Sequence, residues 1–221
     1  MLVVKEDFAL KIPDALRPEV AAPILCAGMT TYPPMKHWGV KAGDKVGIIG
    51  FGGFGGWGEM AAKLAKAMGA DVTVFTTRPA KLGEGERLGV NIVLEDDKDQ
   101  LAALASSFDF MLDHSRQARC QSIHQTAEAR LRAGRGRRAR AAGTSQQPIA
   151  GIHRKSVAGS LIGNMSDKQE VLDFCAEHGI GPDIEVIAIQ DINEAYRKVE
   201  HGEVRFRYVI DMSTLKANAN S

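Results

Sequence analysis

Cysteine is scarce in this sequence, which contains only Cys26, Cys120 and Cys175. The number is odd and the three residues are widely separated, so a framework of disulfides is excluded as the basis of the fold. Free thiols are typical of proteins in a reducing compartment. We therefore expect a cytoplasmic protein.

Long apolar runs and a large excess of charge are also missing. No stretch approaches the ~20 apolar residues of a membrane span, and residues 1–8 contain three charged side chains, unlike a signal peptide. The formal net charge is +1 and 44% of the residues are hydrophobic, as in a soluble globular protein. The length of 221 residues suits one large domain or slightly more.

Short apolar runs alternate with helix-like stretches. Strands are predicted at residues 46–49, 72–75, 91–94 and 108–112, and later at 8–13, 184–189 and 206–210. Helices are predicted at residues 20–31, 60–68, 100–105, 167–177 and 192–200. The alternation predicts an α/β fold with a doubly wound, Rossmann-like parallel sheet.

Two overlapping G-x-G-x-x-G motifs follow the strand at residues 46–49. Their residues are Gly50, Phe51, Gly52, Gly53, Phe54, Gly55, Gly56, Trp57 and Gly58. Such glycines permit a tight turn, a close approach of the backbone to a pyrophosphate and close packing of helix on strand. The motifs are offset by three residues, so only one register can fit and three residues must bulge. The alternative is a flexible glycine-rich surface turn.

The residues that end the second strand favour NADP(H) over NAD(H). An acidic residue there would bind the ribose hydroxyls of NAD, but the sequence continues Thr76-Thr77-Arg78, with Lys81 close behind. Cations and hydroxyl donors suit a 2′-phosphate. The alternative is a helix start with solvated cations.

Several segments, in the same order along the chain, resemble the zinc-dependent medium-chain alcohol dehydrogenases of the cinnamyl/sinapyl alcohol dehydrogenase-like group. The segments are residues 23–30 (PILCAGMT), 37–40 (HWGV), the glycine motifs with 59–63 (EMAAK), 159–163 (GSLIG), 172–175 (LDFC), 192–196 (INEAY) and 208–211 (YVID). The resemblance covers roughly residues 8–113 and 154–216. It implies reversible oxidation of primary alcohols to aldehydes with NADP(H), and a homodimer.

The resemblance also assigns roles to individual residues. Cys26 matches the third ligand of the family's catalytic zinc. Coenzyme contacts beyond the glycine motifs are expected at Thr30 near the nicotinamide, at Thr76, Thr77, Arg78 and Lys81 near the 2′-phosphate, and at Ser160, Leu161 and Ile162 beside the nicotinamide ring. In the family, a serine is usual at the position of Arg78.

The family's remaining zinc ligands lie in an N-terminal, GroES-like catalytic domain, and the matched part of this sequence begins near that domain's end. We therefore expect coenzyme binding without full catalysis, with zinc not retained. The alternative is a nucleotide-binding module that has no catalytic role. The expected division is a catalytic-domain remnant (1–35), the first half of the dinucleotide-binding domain (36–113), a basic segment (114–153), the end of that domain (154–180) and a return to the catalytic domain (181–221).

The stretch from residue 114 to residue 155 contains ten Lys or Arg and one acid, Glu128. One hypothesis is a nucleic-acid-binding arm, although the stretch lacks the interleaved aromatic residues that stack on bases. A second is a metal site of His114, Cys120 and His124, whose spacing matches no zinc motif. A third is translation out of frame, since permitted codons for residues 114–135, read one base later, can encode a loop, a helix and a strand start like those of the family.

The coding DNA tests the third hypothesis. We expect a one-base slip near codon 114 and a return to the original frame near codon 153. An in-frame reading that leaves no family-like sequence in either alternative frame would contradict it and would make the basic stretch a genuine feature.

Overall fold

The computed structural model describes residues 3–51, 56–114, 156, 158–201, 203–204 and 207–218. The strands are β1 Lys45–Ile49, β2 Asp71–Thr76, β3 Asn91–Leu94, β4 Phe110–Asp113, β5 Ile184–Ala188 and β6 Arg207–Asp211. The helices are α1 Pro18–Pro23, α2 Met29–His37, α3 Trp57–Ala67, α4 Glu84–Leu88, α5 Lys98–Ala103, α6 Met165–Glu177 and α7 Ile192–His201. Four short 3₁₀ turns lie at Glu6–Phe8, Pro79–Lys81, Ile189–Asp191 and Met212–Asn218, and a π-helical turn at Ile24–Gly28.

The main sheet has the strand order β3-β2-β1-β4, and all its neighbours are parallel. The central register aligns Ile48 with Val74 on one side and with Leu112 on the other. From β1 the chain builds the sheet outward through β2 and β3, and β4 then pairs with the other side of β1. The crevice between β1 and β4 is therefore the topological switch point, where doubly wound sheets bind their ligands.

Both faces of the main sheet are covered by apolar residues. Ile48, Val74 and Leu112 belong to the larger core cluster, which also contains the buried face of α3. Ile49, Phe75 and Met111 are neighbours of these residues along their strands, point to the opposite face and join a smaller cluster with Leu101 of α5. Coverage on both faces is the doubly wound arrangement, so the predicted α/β fold is confirmed.

The capping of α6 fixes where this helix begins. The Asn164 side chain accepts a hydrogen bond from the Asp167 N–H, and the Asp167 carboxylate accepts one from the Asn164 N–H, each at 2.9 Å. This capping box satisfies two N–H groups that a helix start leaves without partners. The helix consequently starts slightly before the predicted residue 167.

The predicted strand at residues 8–13 is wrong. This segment follows a 3₁₀ turn, and its backbone bonds to a side chain instead of to a neighbouring strand. The Lys11 N–H donates to Gln169 Oε1, and Gln169 Nε2 donates to the Lys11 carbonyl, both at 2.9 Å. The helix predicted at residues 20–31 is divided by a π-helical turn that starts after Pro23, a residue that has no N–H to continue the ladder.

The small parallel sheet of β5 and β6 packs against α1, so segments near both ends of the sequence meet. The predicted division of the chain, with residues 1–35 and 181–221 assigned to the catalytic domain, stays a prediction. In the described part of the chain, no helix is long and apolar enough to cross a bilayer.

Candidate functional site

Helix α3 starts in close contact with the backbone that leaves β1. A Cβ atom placed on Gly58 would lie 2.8 Å from the Gly50 carbonyl oxygen and 3.1 Å from Phe51 Cα, so no side chain fits at this position. The turn also requires glycine at Gly50 and Gly56, whose φ angles are +105° and +64°. Gly58 thus provides the close helix-to-strand packing expected of the last glycine in the motif.

Gly58 is the last glycine of the second motif, and which of the two registers binds the coenzyme stays a prediction. Gly52, Gly53, Phe54 and Gly55 lie outside the described residues, and their coenzyme contacts stay predictions.

The end of β2 is tied to the glycine motifs by Thr76. Its buried hydroxyl donates to the Phe51 carbonyl at 3.2 Å and accepts from the Arg78 N–H at 3.2 Å. In this conformation the hydroxyl is committed to the protein backbone. The neighbouring Thr77 and Arg78 side chains are exposed.

The Lys81 side chain lies near Phe51 of the glycine motifs. Its ammonium nitrogen lies 5.7 Å from the centre of the Phe51 ring and 3.9 Å from Glu84 Oε1. Glu84 is buried and also accepts from Arg87 Nε at 2.8 Å. Glu84 was not predicted as a site residue from the sequence, although its spacing of three residues from Lys81 was a signal that could have revealed it.

A network of ion pairs fixes α3 to the segment before β5. Lys63 Nζ lies 2.7 Å from Glu59 Oε1, donates to Asp183 at 2.7 Å and donates to the Gly181 carbonyl at 2.8 Å. Arg87 lies 2.6 Å from Asp183 and joins the same network. Burial raises the pKa of Glu59, which the adjacent Lys63 opposes. The network holds the helix that carries Gly58.

His114 follows β4 directly, at the switch point. Its backbone N–H donates to the Ile49 carbonyl at 2.9 Å. Its ring packs on the Trp57 ring in an edge-to-face arrangement, with the ring centroids 5.7 Å apart. His114 Nε2 and Trp57 Nε1 are both enclosed and have no hydrogen-bond partner in the described part of the chain. Burial lowers the pKa of His114 to about 4, although Asp113 favours the charged ring.

From the sequence, His114 was placed in the basic stretch, and no coenzyme contact was predicted for it. Its position at the carboxyl end of β4 was the signal that could have found it. Cys120 and His124, with which it was grouped as a metal site, lie outside the described residues.

Thr30, which is expected near the nicotinamide, lies in the first turn of α2. The Thr30 hydroxyl donates to the Cys26 carbonyl at 2.7 Å. A side chain at Gly163 would collide with Met29, so the preceding stretch lies beside the same helix. Within that stretch Ser160 is partly exposed, and Leu161 and Ile162 are exposed.

Cys26 is an exposed thiol, and among the described residues no group of three His, Cys, Asp or Glu side chains could hold a metal ion. A catalytic zinc needs three protein ligands and an open position, so these residues do not fit one. Cys175 is buried, and burial raises the pKa of its thiol to about 12, which leaves it unreactive.

The family model for zinc-binding dehydrogenases matches residues 56–177, a range that includes Gly58, Lys81 and His114. The chain belongs to the zinc-binding dehydrogenase family. The resemblance found in the sequence is thereby confirmed. Relatives of this family include NADP-dependent alcohol dehydrogenase C 1 of Mycolicibacterium smegmatis, 40% identical over 98% of this chain, and aldehyde reductase YahK of Escherichia coli, 41% identical over 97%. The chain spans 62% of the length of either relative.

Solved structures of zinc-binding dehydrogenase relatives have the same fold. A cinnamyl alcohol dehydrogenase of Sorghum bicolor superposes with a TM-score of 0.84 at 32% identity, over 95% of this chain and 60% of that one. The cinnamyl alcohol dehydrogenase of Helicobacter pylori, solved as a complex with NADP(H), gives 0.78 at 33% identity, over 96% and 60%.

The buried neutral His114 should make stability depend on pH. Its folded pKa of about 4 lies below the ordinary value of 6.5, so the unfolded chain binds more protons between these pH values. Stability is fully present above pH 6.5 and is lost as the pH falls toward 4. In urea unfolding, His114→Gln should remove about 2 kcal/mol of the stability lost between pH 7 and pH 5. The matched control is His37→Gln on the exposed end of α2. Equal pH dependence in wild type and His114→Gln would contradict the assignment.

Proposed function

We propose that this chain binds NADP(H) and forms the coenzyme-binding part of an alcohol dehydrogenase that interconverts primary alcohols and aldehydes. The observation that carries the proposal is the packing of Gly58 on Gly50, which brings the start of α3 to the carboxyl end of β1. At a helix start the first N–H groups lack intrahelical partners and attract phosphate oxygens. The diphosphate of the coenzyme is expected to bind there.

The preference for NADP(H) over NAD(H) rests on the charges at the end of β2. Arg78 is exposed and Lys81 lies over Phe51, whereas no acidic residue occupies the last position of the strand. A guanidinium group binds a phosphate with two parallel hydrogen bonds. Arg78 and Lys81 would therefore hold the 2′-phosphate, and Thr77 would add a hydroxyl donor.

The reaction class follows from the relatives, which are named as NADP-dependent alcohol dehydrogenase, aldehyde reductase and cinnamyl alcohol dehydrogenase. The bound coenzyme would supply or accept a hydride, and the exposed Leu161 and Ile162 would lie beside its nicotinamide ring. Because the described residues include no set of three metal ligands, we propose that they bind coenzyme without turning over an alcohol. We further propose a cytoplasmic location and assembly as a homodimer.

Calorimetric titration tests the coenzyme preference. The purified chain should bind NADPH more tightly than NADH, and Arg78→Ala should weaken NADPH binding about tenfold or more, because a charge-assisted hydrogen bond to phosphate is lost. NADH affinity should stay unchanged. The control Lys45→Ala removes an exposed cation at the amino end of β1, far from the carboxyl ends of the strands where the coenzyme is expected. It should leave the affinity for both coenzymes unchanged.

Two results would contradict the proposal. One is a folded chain, shown by circular dichroism, with no measurable affinity for either coenzyme. The other is an equal loss of NADPH and NADH affinity in Arg78→Ala, which would remove the assignment of the 2′-phosphate. Zinc-dependent turnover of an aldehyde by the purified chain would overturn only the expected lack of catalysis, and would leave the proposed coenzyme binding intact.

A further inference from the structure

Two enclosed ring nitrogens lie at the switch point. Trp57 Nε1 and His114 Nε2 are shielded from solvent and lack hydrogen-bond partners, while their rings lie 5.7 Å apart. Buried polar atoms are nearly always hydrogen-bonded in folded proteins. Two unpartnered nitrogens on neighbouring rings therefore point to a group that binds between them.

Their position restricts which part of a dinucleotide this group can be. Trp57 is the first residue of α3, and His114 is anchored to the last residue of β1 by its N–H. The cations proposed for the 2′-phosphate follow β2, on one side of β1, whereas β4 lies on the other side. A coenzyme whose adenosine end meets Arg78 and whose diphosphate meets α3 would place its nicotinamide half at His114.

The chemistry of the two nitrogens restricts the group further. The indole Nε1–H can only donate, and the uncharged imidazole Nε2 can accept. A hydroxyl group satisfies both, because its oxygen accepts from the indole and its proton goes to the imidazole. The nearby carboxylate of Asp113, which is buried at the end of β4, disfavours an anionic phosphate oxygen in the same place.

We propose that Trp57 and His114 form a two-point hydrogen-bonding site for a ribose hydroxyl in the nicotinamide half of the coenzyme. This inference rests on the proposed binding of NADP(H). It assigns His114 a positioning role toward a part of the coenzyme that the glycine motifs and the end of β2 do not reach.

Binding of two ligands to matched variants tests the proposal. His114→Leu and Trp57→Phe each remove one nitrogen and should weaken NADPH binding about three- to tenfold, the equivalent of one hydrogen bond. His114→Gln retains a polar group of similar reach and should recover most of the affinity. All variants should bind 2′,5′-ADP like the wild type, because this ligand lacks the nicotinamide half. Trp38→Phe changes the other tryptophan, near Phe110 at the amino end of β4, and should bind NADPH normally.

Thermal unfolding without coenzyme separates this role from a structural one. Removing an unpartnered nitrogen should leave the melting temperature of His114→Leu unchanged or higher. A lower melting temperature with unchanged NADPH affinity would show that the nitrogens serve the fold, and would overturn the proposal. Equal weakening of NADPH and 2′,5′-ADP would overturn the assignment to the nicotinamide half. A folded wild type that binds neither ligand would instead contradict the proposed function.

Discussion

The contact between Gly58 and Gly50 is the constraint on which the rest of the site depends. It sets the distance between the start of α3 and the end of β1, because any side chain at Gly58 would meet backbone atoms of Gly50 and Phe51. Phe51 in turn accepts a hydrogen bond from Thr76 and lies under the ammonium of Lys81. The packing of one helix thus positions the ends of two strands and the charge beside them.

The charged and titratable groups of the site differ in how far they are buried and in whether they are paired. The Lys63 network is partly shielded, pairs its charges with one another and holds α3 in place. The cation at Arg78 is exposed and remains hydrated until a ligand binds, so the fold bears no cost of burying this charge. At His114 burial lowers the pKa of the ring, so the uncharged form is favoured at neutral pH, and the switch point presents hydrogen-bonding groups beside the cations that follow β2.

Much of the fold could be predicted because strands buried on both faces are continuous apolar runs. The strand predicted at residues 91–94 agrees fully with β3, and the other strands of the main sheet agree within about two residues. The strand predicted at residues 8–13 was wrong. Its apolar residues pack against the larger core cluster, but its backbone bonds to the Gln169 side chain instead of to a neighbouring strand. For Glu84 and His114 the sequence carried only a weak signal, namely the spacing of Glu84 from Lys81 and the place of His114 at the end of a strand. Their burial, and the meeting of the strands around His114, became clear only in the structure. The hypotheses for the basic stretch after His114 concern residues outside those described.

The replacement Gly58→Ala tests the central claim most directly. Its Cβ would lie 2.8 Å from the Gly50 carbonyl oxygen and must displace the start of α3. Gly83→Ala is the matched control, because a Cβ there meets nothing within 4 Å and the φ angle of −66° suits alanine. In calorimetric titration the account predicts that Gly58→Ala, confirmed as folded by circular dichroism, loses at least about tenfold in NADPH affinity, while Gly83→Ala binds like the wild type. Wild-type affinity in a folded Gly58→Ala would contradict it.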